Sequence, residues 1–523
     1  MKRLAVFLVV VAVAAACFFQ AGRLHENLLA QRVELLPGNI ELPKNTTPLV
    51  AFVTVALGGF RGLIADALWL RTTRMQEEGR YFELVQLADW ITKLEPRFTP
   101  VWSFHAWNLA FNVSVLMNEP ADRWQWVSRG IEMLRDNALV YNPGDAKLYW
   151  ELGWMYQFKV GHNLDQAHLY YKRALVEQMA TVFEGARPDF DVLANAPASK
   201  EALLAEPGAK ELMDQVRRLK RDPFDPELLA GGGIPEDVAA LLQDHPAAEL
   251  YRNFLRLRRL REVYKMEPAA MKAADEAWGP LDWRAASTHA TYWAEQGKPH
   301  ASGFIALQLD RMVFQSMREG FLRGNVWIDP YMGNAVPSPN VDLLPRVRAA
   351  YLTALEEHDS NESMRTAHGN FLRESFSSLL GYGRKTEARD IFEALHERYP
   401  DEHTERGFDY YAAWSTLESY RDVLGSESRA LVEGLIAQSL IYYAMGDDAR
   451  AEGSNVRSRI VHAHFMGKLK SDDHIDRVGL PPYEVLQRKV FNEIYPSIAH
   501  PEAKNRLDAL RPPPAEADEE ESN

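Results

Sequence analysis

Apolar positions in the stretch Gly144–Gln178 follow a helical period twice over. Tyr149, Leu152, Gly153 and Tyr156 fall at i, i+3, i+4 and i+7, the single face of a first helix. Ala167, Tyr171 and Ala174 fall at i, i+4 and i+7 on a second. Gly153 and Ala167 are small where two helices would cross, and the tyrosines fill the space around them. The pattern predicts a helical hairpin. Such a hairpin cannot bury its apolar side alone, so stacked neighbours are expected.

The rest of the chain supplies them. Gly79–Pro96 has a turn glycine, Tyr81 and a closing proline, after a helix over roughly Leu63–Glu78. Trp102, Ala106 and Leu109 mark another first helix, with a partner over about Arg123–Val140 that ends at Asn142-Pro143. Pro96 and Pro143 are 47 residues apart, as are Trp102 and Tyr149. Residues 58–183 therefore form an N-terminal section of paired helices. Five prolines between Pro188 and Pro226, then Gly231-Gly232-Gly233, predict a loop-rich insertion with short helices over 184–248. The basic stretch Glu249–Lys265 reads as a helix whose arginines pair with nearby acids in solvent, or alternatively as a site for an acidic partner. Within 249–340, Trp283, Ser287 and Ala290 share a face, Gly297 is placed at a turn, a long helix runs to about Phe321, and Trp327–Asn340 is expected as a loop. Residues 341–498 return to pairs. Leu372, Phe376 and Leu379 precede Gly383, then Ala388, Phe392 and Leu395 precede Pro400. Leu435, Tyr442, Gly446 and Ala451 trace a last pair, and Pro481-Pro482 opens a cap to about Tyr495. The acidic, Pro-rich end, 499–523, is expected to be disordered.

The order aromatic, Leu-Gly, aromatic, then Ala, aromatic, Ala in Gly144–Gln178 resembles a tetratricopeptide repeat (TPR). The blocks GGFRGLIADALWLR and EGRYFELVQLADWITKLEPRF also look like those of membrane-anchored bacterial TPR-like proteins, a resemblance that carries no activity. The family resemblance implies an all-α solenoid of helical hairpins that serves as a scaffold and binds peptides or proteins with exposed first-helix side chains. By register these are Lys147, Trp150, Trp154, Gln157 and Phe158, and in the preceding copy Ser103, Trp107 and Ala110. Trp107 and Trp154 are again 47 apart, so they are expected either to share one aromatic track or simply to fill gaps between repeats.

Lys2 and Arg3 precede an uncharged run from Leu4 to Gly22. Nineteen helical residues span about 28 Å, close to the hydrocarbon thickness. The run is expected as a single transmembrane anchor, residues 4–22, with 1–3 cytoplasmic and a connector over 23–57. A cleaved signal peptide, or a lipoprotein signal with Cys17 acylated, fits as an alternative. All three export the remainder, which places the bulk of the chain in the periplasm. Leu49–Leu70 is also apolar, but Arg61 and Asp66 interrupt it, so Pro48–Leu57 is expected as a buried segment, with a membrane-interface segment as the alternative.

Composition narrows the function. The net charge is −14, which disfavours phosphate-driven nucleic-acid binding. The single cysteine, Cys17, leaves no internal disulfide or thiolate cluster. Phosphate-loop, G-x-S-x-G, H-E-x-x-H and S-x-x-K arrangements are absent from the sequence. His462, His464, Asp473, His474 and Asp476 are the best metal candidates, but the first two lie two residues apart and face apart on a helix. The expectation is a scaffold without catalytic residues, cofactor or metal, holding a protein or peptide partner in an envelope complex. An enzyme with its site in 186–340 and a structural envelope lipoprotein are the alternatives.

Overall fold

The computed structural model describes residues 20, 60–183, 185–229, 233–328, 335–357, 362–421, 427–468 and 479–513. The expected anchor, apart from Gln20, and the connector through Leu57 lie outside them. Among the described residues the fold is all-α with one two-stranded hairpin, and no helix is long and apolar enough to cross a membrane. The chain divides into two compact units. One holds residues up to Tyr171 together with Arg261–Lys265 and Trp293–Met312, and the other holds the remainder.

The first unit opens with α1 (Phe60–Glu77) and α2 (Tyr81–Leu94). Ala65 and Met75 pack against Ile91, Leu84 and Leu87. Next come α3 (Thr99–Trp107) and α4 (Pro120–Glu132), then α5 (Ala146–Trp154) and α6 (His168–Ala180), which carries the chain across the division. Three of these helices change winding before they end. Asn108–Val113 continues α3, Met133–Ala138 continues α4 and Met155–Gly161 continues α5, each as π-helix. Helices α3 and α4 cross where Gly130 meets Ala106 and Ala110. A Cβ on Gly130 would lie 2.8 Å from the Ala106 carbonyl oxygen and 3.2 Å from the Ala110 Cβ. Gly130→Val is therefore expected to cost roughly 2–3 kcal/mol, read as a lower urea midpoint by tryptophan fluorescence. Gly144→Ala is the control, because nothing lies within 4 Å of a Cβ there.

The second unit contains the insertion. Its short helices are α7 (Phe190–Ala194), α8 (Lys200–Leu204), α9 (Ala209–Arg218) and α10 (Glu236–Leu242), followed by α11 (Ala248–Glu262). They close around a core of their own that includes Leu212, Val216, Tyr251 and Phe254. The arginines of the basic helix α11 pair with nearby acids as expected, Arg252 and Arg256 with Glu249 and Arg259 with Glu227, but its face is not all solvated. Arg259 is buried, and its Nη1 donates to the Pro226 carbonyl oxygen at 3.1 Å, while Arg258 donates to that of Phe224. Both pin the 223–227 turn, whose prolines leave few amide donors to hold it. Helices α12 (Pro268–Trp278), α13 (Ala286–Gly297) and α14 (Gly303–Arg323) follow along the chain, the stretch Trp293–Met312 of the last two belonging to the first unit. Gly297 ends α13 with an ordinary helical φ of −77°.

The described ends of the loop expected at Trp327–Asn340 instead pair as antiparallel strands, β1 (Asn325–Ile328) with β2 (Ala335–Ser338). Pro337 masked the pairing in the sequence, since proline argues against a strand, yet a two-stranded edge tolerates it. A buried ion pair ties the hairpin down. Asp282 accepts the Val326 amide at 2.7 Å, and Arg284, paired with Asp282 at 2.9 Å, donates to the Val326 carbonyl oxygen.

Helices α15 (Leu344–Glu357), α16 (Glu362–Gly381), α17 (Lys385–Arg398), α18 (Phe408–Ser419), α19 (Ser428–Ala444), α20 (Asp448–Gly467), α21 (Tyr483–Ile494) and α22 (Pro501–Asp508) complete the unit. The turns of three hairpins have one geometry. Gly79, Gly383 and Gly446 have φ of 71°, 66° and 82°. In each turn the residue after the glycine donates its amide back across the helix end: Arg80 to Met75, Arg384 to Leu379, and Asp447 to Tyr442, all at 2.9 Å. This is the left-handed helix stop that glycine makes without a Cβ penalty. Helix α22 corrects the expectation of disorder from residue 499. Ala503 and Leu507 are buried in the core that Val432, Leu486 and Phe491 form, and the Arg506 Nε donates to the Tyr443 carbonyl oxygen at 2.8 Å. The acidic residues 514–523 lie outside the described residues.

Candidate functional site

The site begins with a local repeat in the first unit. Helices α3 and α5 start 47 residues apart, at Thr99 and Ala146, and turn into π-helix 47 apart, at Asn108 and Met155. Each start is fixed in the same way. The Trp102 indole nitrogen donates to the Pro96 carbonyl oxygen at 2.9 Å, and the Tyr149 hydroxyl donates to that of Pro143 at 3.0 Å. The Asn142 amide joins one copy to the previous one by donating to the Pro96 oxygen at 2.8 Å. A π turn takes in an extra residue, so it rotates the side chains that follow it relative to an α-helix.

Along this pair runs a row of half-buried rings. Trp107 stacks on Phe111 with centroids 5.7 Å apart, Phe111 meets Trp154 at 4.9 Å, and Trp154 meets Phe158 at 5.3 Å. Trp150 joins at 6.3 Å from Trp154, and His162 stacks on Phe158 at 5.6 Å. Each such pair adds about 0.5–1.5 kcal/mol to the burial it brings. None of the rings is fully covered.

The row ends at a charged cluster. The Lys159 ammonium is 2.6 Å from one Asp165 carboxylate oxygen, and an Arg123 guanidinium nitrogen is 3.2 Å from the other. The Tyr171 hydroxyl and the Ala167 amide also donate to Asp165, at 3.2 and 2.9 Å. Burial lowers the pKa of Lys159 against the pull of Asp165. The Asp165 carboxyl, despite its own burial, is held below the usual range by Lys159 and by the Ala167 amide. Lys159 also lies 5.0 Å from the Phe111 ring centroid, in cation–π contact. Phe111, Trp154, Phe158, Lys159 and Asp165 line a cleft of about 480 Å³, with Val115 and Leu164 exposed at its rim. A second cleft of about 1000 Å³ is lined by Lys147, Trp150, His300 and Phe304.

Four of the residues expected by register share the row: Trp107, Trp150, Trp154 and Phe158. Lys147 lies apart on the second cleft. Ser103, Ala110 and Gln157 differ from the expectation, for all three are buried. Ser103 and Ala110 face neighbouring helices, and the Gln157 amide reaches the Met312 carbonyl oxygen at 3.5 Å. Phe111 was legible: it stands 47 residues before Phe158. The Arg123–Lys159–Asp165 cluster has no sequence signal, because it joins residues of three elements at unrelated spacings.

The metal candidates do not assemble within what is described. The His462 Nε2 is 2.9 Å from the Pro481 carbonyl oxygen, and Asp473, His474 and Asp476 lie outside the described residues. Among the described residues no three His, Cys, Asp or Glu side chains converge as metal ligands would. No protein-family model, curated protein or solved structure matches this chain.

Proposed function

We propose that the chain is a non-catalytic scaffold of the TPR-like kind, an α-solenoid of helical hairpins that holds a protein or peptide partner on its aromatic row. Residues 4–22 anchor it in the inner membrane, and the bulk works in the periplasm as part of an envelope complex. The observation that carries the reading is the unbroken run of partly exposed rings from Trp107 through Phe111 and Trp154 to Phe158. Rings that served packing alone would be expected to sit inside, as Tyr171 and Tyr156 do. Large rigid aromatic side chains beside a cleft are what a partner segment with an apolar side chain anchors on. The 47-residue recurrence supports the repeat character.

The test is affinity purification of the full-length chain and of its Trp107→Ala/Trp154→Ala variant. Circular dichroism and a urea titration establish that the variant is folded. The expected result is at least a tenfold drop in recovery of a partner that the parent enriches. Unchanged recovery of every partner by a folded variant rejects the row as the binding surface.

A further inference from the structure

Helix α1 has two apolar sides, and only one of them is covered. On the inner side Ala65, Leu68 and Met75 pack against Ile91, Leu84 and Leu87 of α2. On the outer side Leu63, Ala67, Leu70 and Arg74 fall at i, i+4, i+7 and i+11, a single line along the helix. Leu63 is 65% and Leu70 72% exposed, and Ile64 beside them is exposed as well. On the other flank Trp69 meets Phe98 edge-on at 6.2 Å, and Phe98 is exposed too, so the apolar surface reaches the start of α3. A helix that is apolar all round is ordinarily covered all round.

Charge is ordered along this outer side. Residues 46–60 carry none, and α1 opens at their end. Asp66 stands about 60° around the helix from the line of Leu63 and Arg74, at the edge of the apolar strip. Arg71 and Arg74 follow Leu70, and Glu77 is the last residue of the helix. Glu83 is near enough to feel Arg71, but its carboxylate is paired with Arg80. The strip therefore begins apolar and turns basic before it ends.

We propose that the outer side of α1 lies in the headgroup layer of a lipid bilayer, with Leu63 and Leu70 at the acyl boundary and Arg71 and Arg74 at the level of the phosphates. The inference rests on the anchor at residues 4–22 proposed above. Helix α1 is the first helix described after that anchor, and 37 residues, 23–59, separate the two. Two exposed leucines bind a bilayer only weakly on their own. A chain already anchored meets the surface again at a high local concentration, so a weak second contact suffices. The order of charge suits the same surface, because arginine stems lie along apolar material while their heads reach phosphate. The first unit is then held to the membrane at two points instead of one.

Cys17 is the single cysteine, so a Cys17→Ser background takes one nitroxide label at a time. Full-length L63C and L70C are placed in nanodiscs of phosphatidylethanolamine and phosphatidylglycerol, with A121C, an exposed position of α4, as the reference. The labelled positions are exposed, so these chains are expected to keep the far-ultraviolet dichroism of the parent. Power saturation is expected to give a ratio of oxygen to nickel-chelate collisions at least about threefold higher at 63 and 70 than at 121, because the polar chelate is excluded from the acyl layer. Labels at 63 and 70 as open to the chelate as the one at 121 put this side of α1 in water and overturn the proposal. Immobilised labels shielded from both reagents overturn it as well, since protein then covers the helix. Extraction of the parent from its membranes with alkaline carbonate tests the anchor by itself. If carbonate releases the chain the anchor fails, and the same labels, read with added vesicles of the same lipids, still decide for or against α1.

Discussion

Asp165→Ala is expected to destabilise the first unit by about 3–5 kcal/mol, the loss that follows when one partner of a buried charge cluster is removed. The Asp165 and Lys159 side chains are 7% and 4% exposed, so neither charge is shared with bulk water. Without the carboxylate, Lys159 and Arg123 face each other across the cleft, and the Tyr171 hydroxyl and Ala167 amide lose their acceptor. The unpaired ammonium then has a pKa depressed further below its ordinary value. A lysine so depressed binds its proton less tightly when folded than when unfolded, so the variant is expected to gain stability as pH rises towards 10. Asp165→Ala/Lys159→Met removes both charges and is expected to recover most of the loss. Urea unfolding followed by tryptophan fluorescence reads the effect, since eight of the 13 tryptophans lie between Trp69 and Trp154. A loss under about 1 kcal/mol, or a double variant no more stable than the single, counts against this account of the cluster.

The helices were largely legible in the sequence because they rest on period and punctuation. Gly79, Gly383 and Gly446 stop helices through a backbone conformation that glycine alone adopts readily, so each marks its turn without help from distant residues. The 47-residue spacing likewise predicted equivalent positions, and the hydrogen bonds from Trp102 and Tyr149 to the prolines six residues before them are equivalent. What escaped depends on contacts made at long range. The hairpin at 325–338 is tied by Asp282 and Arg284, more than forty residues earlier in the chain. Helix α22 exists because Ala503 and Leu507 find an apolar surface made by α19 and α21. The same division runs through the candidate site. Trp107, Trp154 and Phe158 share the period and share a row. Ser103 and Gln157 share it too, yet they are buried, because the side of a helix that meets its neighbour is set by packing and by the π turn.

Acid is expected to weaken both units, through one histidine in each. His105 is 1% exposed, and neither of its ring nitrogens has a hydrogen-bond partner among the described residues. Burial lowers its pKa to about 4, against a small opposing pull from Asp89. His368 is 2% exposed and reaches about 4 through burial and the charges of Arg398 and Arg348. Both folded values lie below the ordinary 6.5, so the unfolded chain takes up protons first as pH falls. The stability these neutral rings contribute is complete above pH 6.5 and is lost as pH falls through the window to 4. At pH 5 each site is expected to cost about 2 kcal/mol, rising to about 3.4 kcal/mol well below pH 4. The comparison belongs between pH 7 and pH 5, above the range in which depressed carboxyls such as Asp165 add a loss of the same sign. Tryptophan fluorescence in urea follows the first unit, and amide exchange over residues 365–381 follows the second. His105→Leu is expected to flatten the pH dependence of the first unit and leave that of the second unchanged, and His368→Leu the reverse. A His105→Leu protein that loses as much stability as the parent between pH 7 and pH 5 shows that the buried imidazole is not the group being titrated.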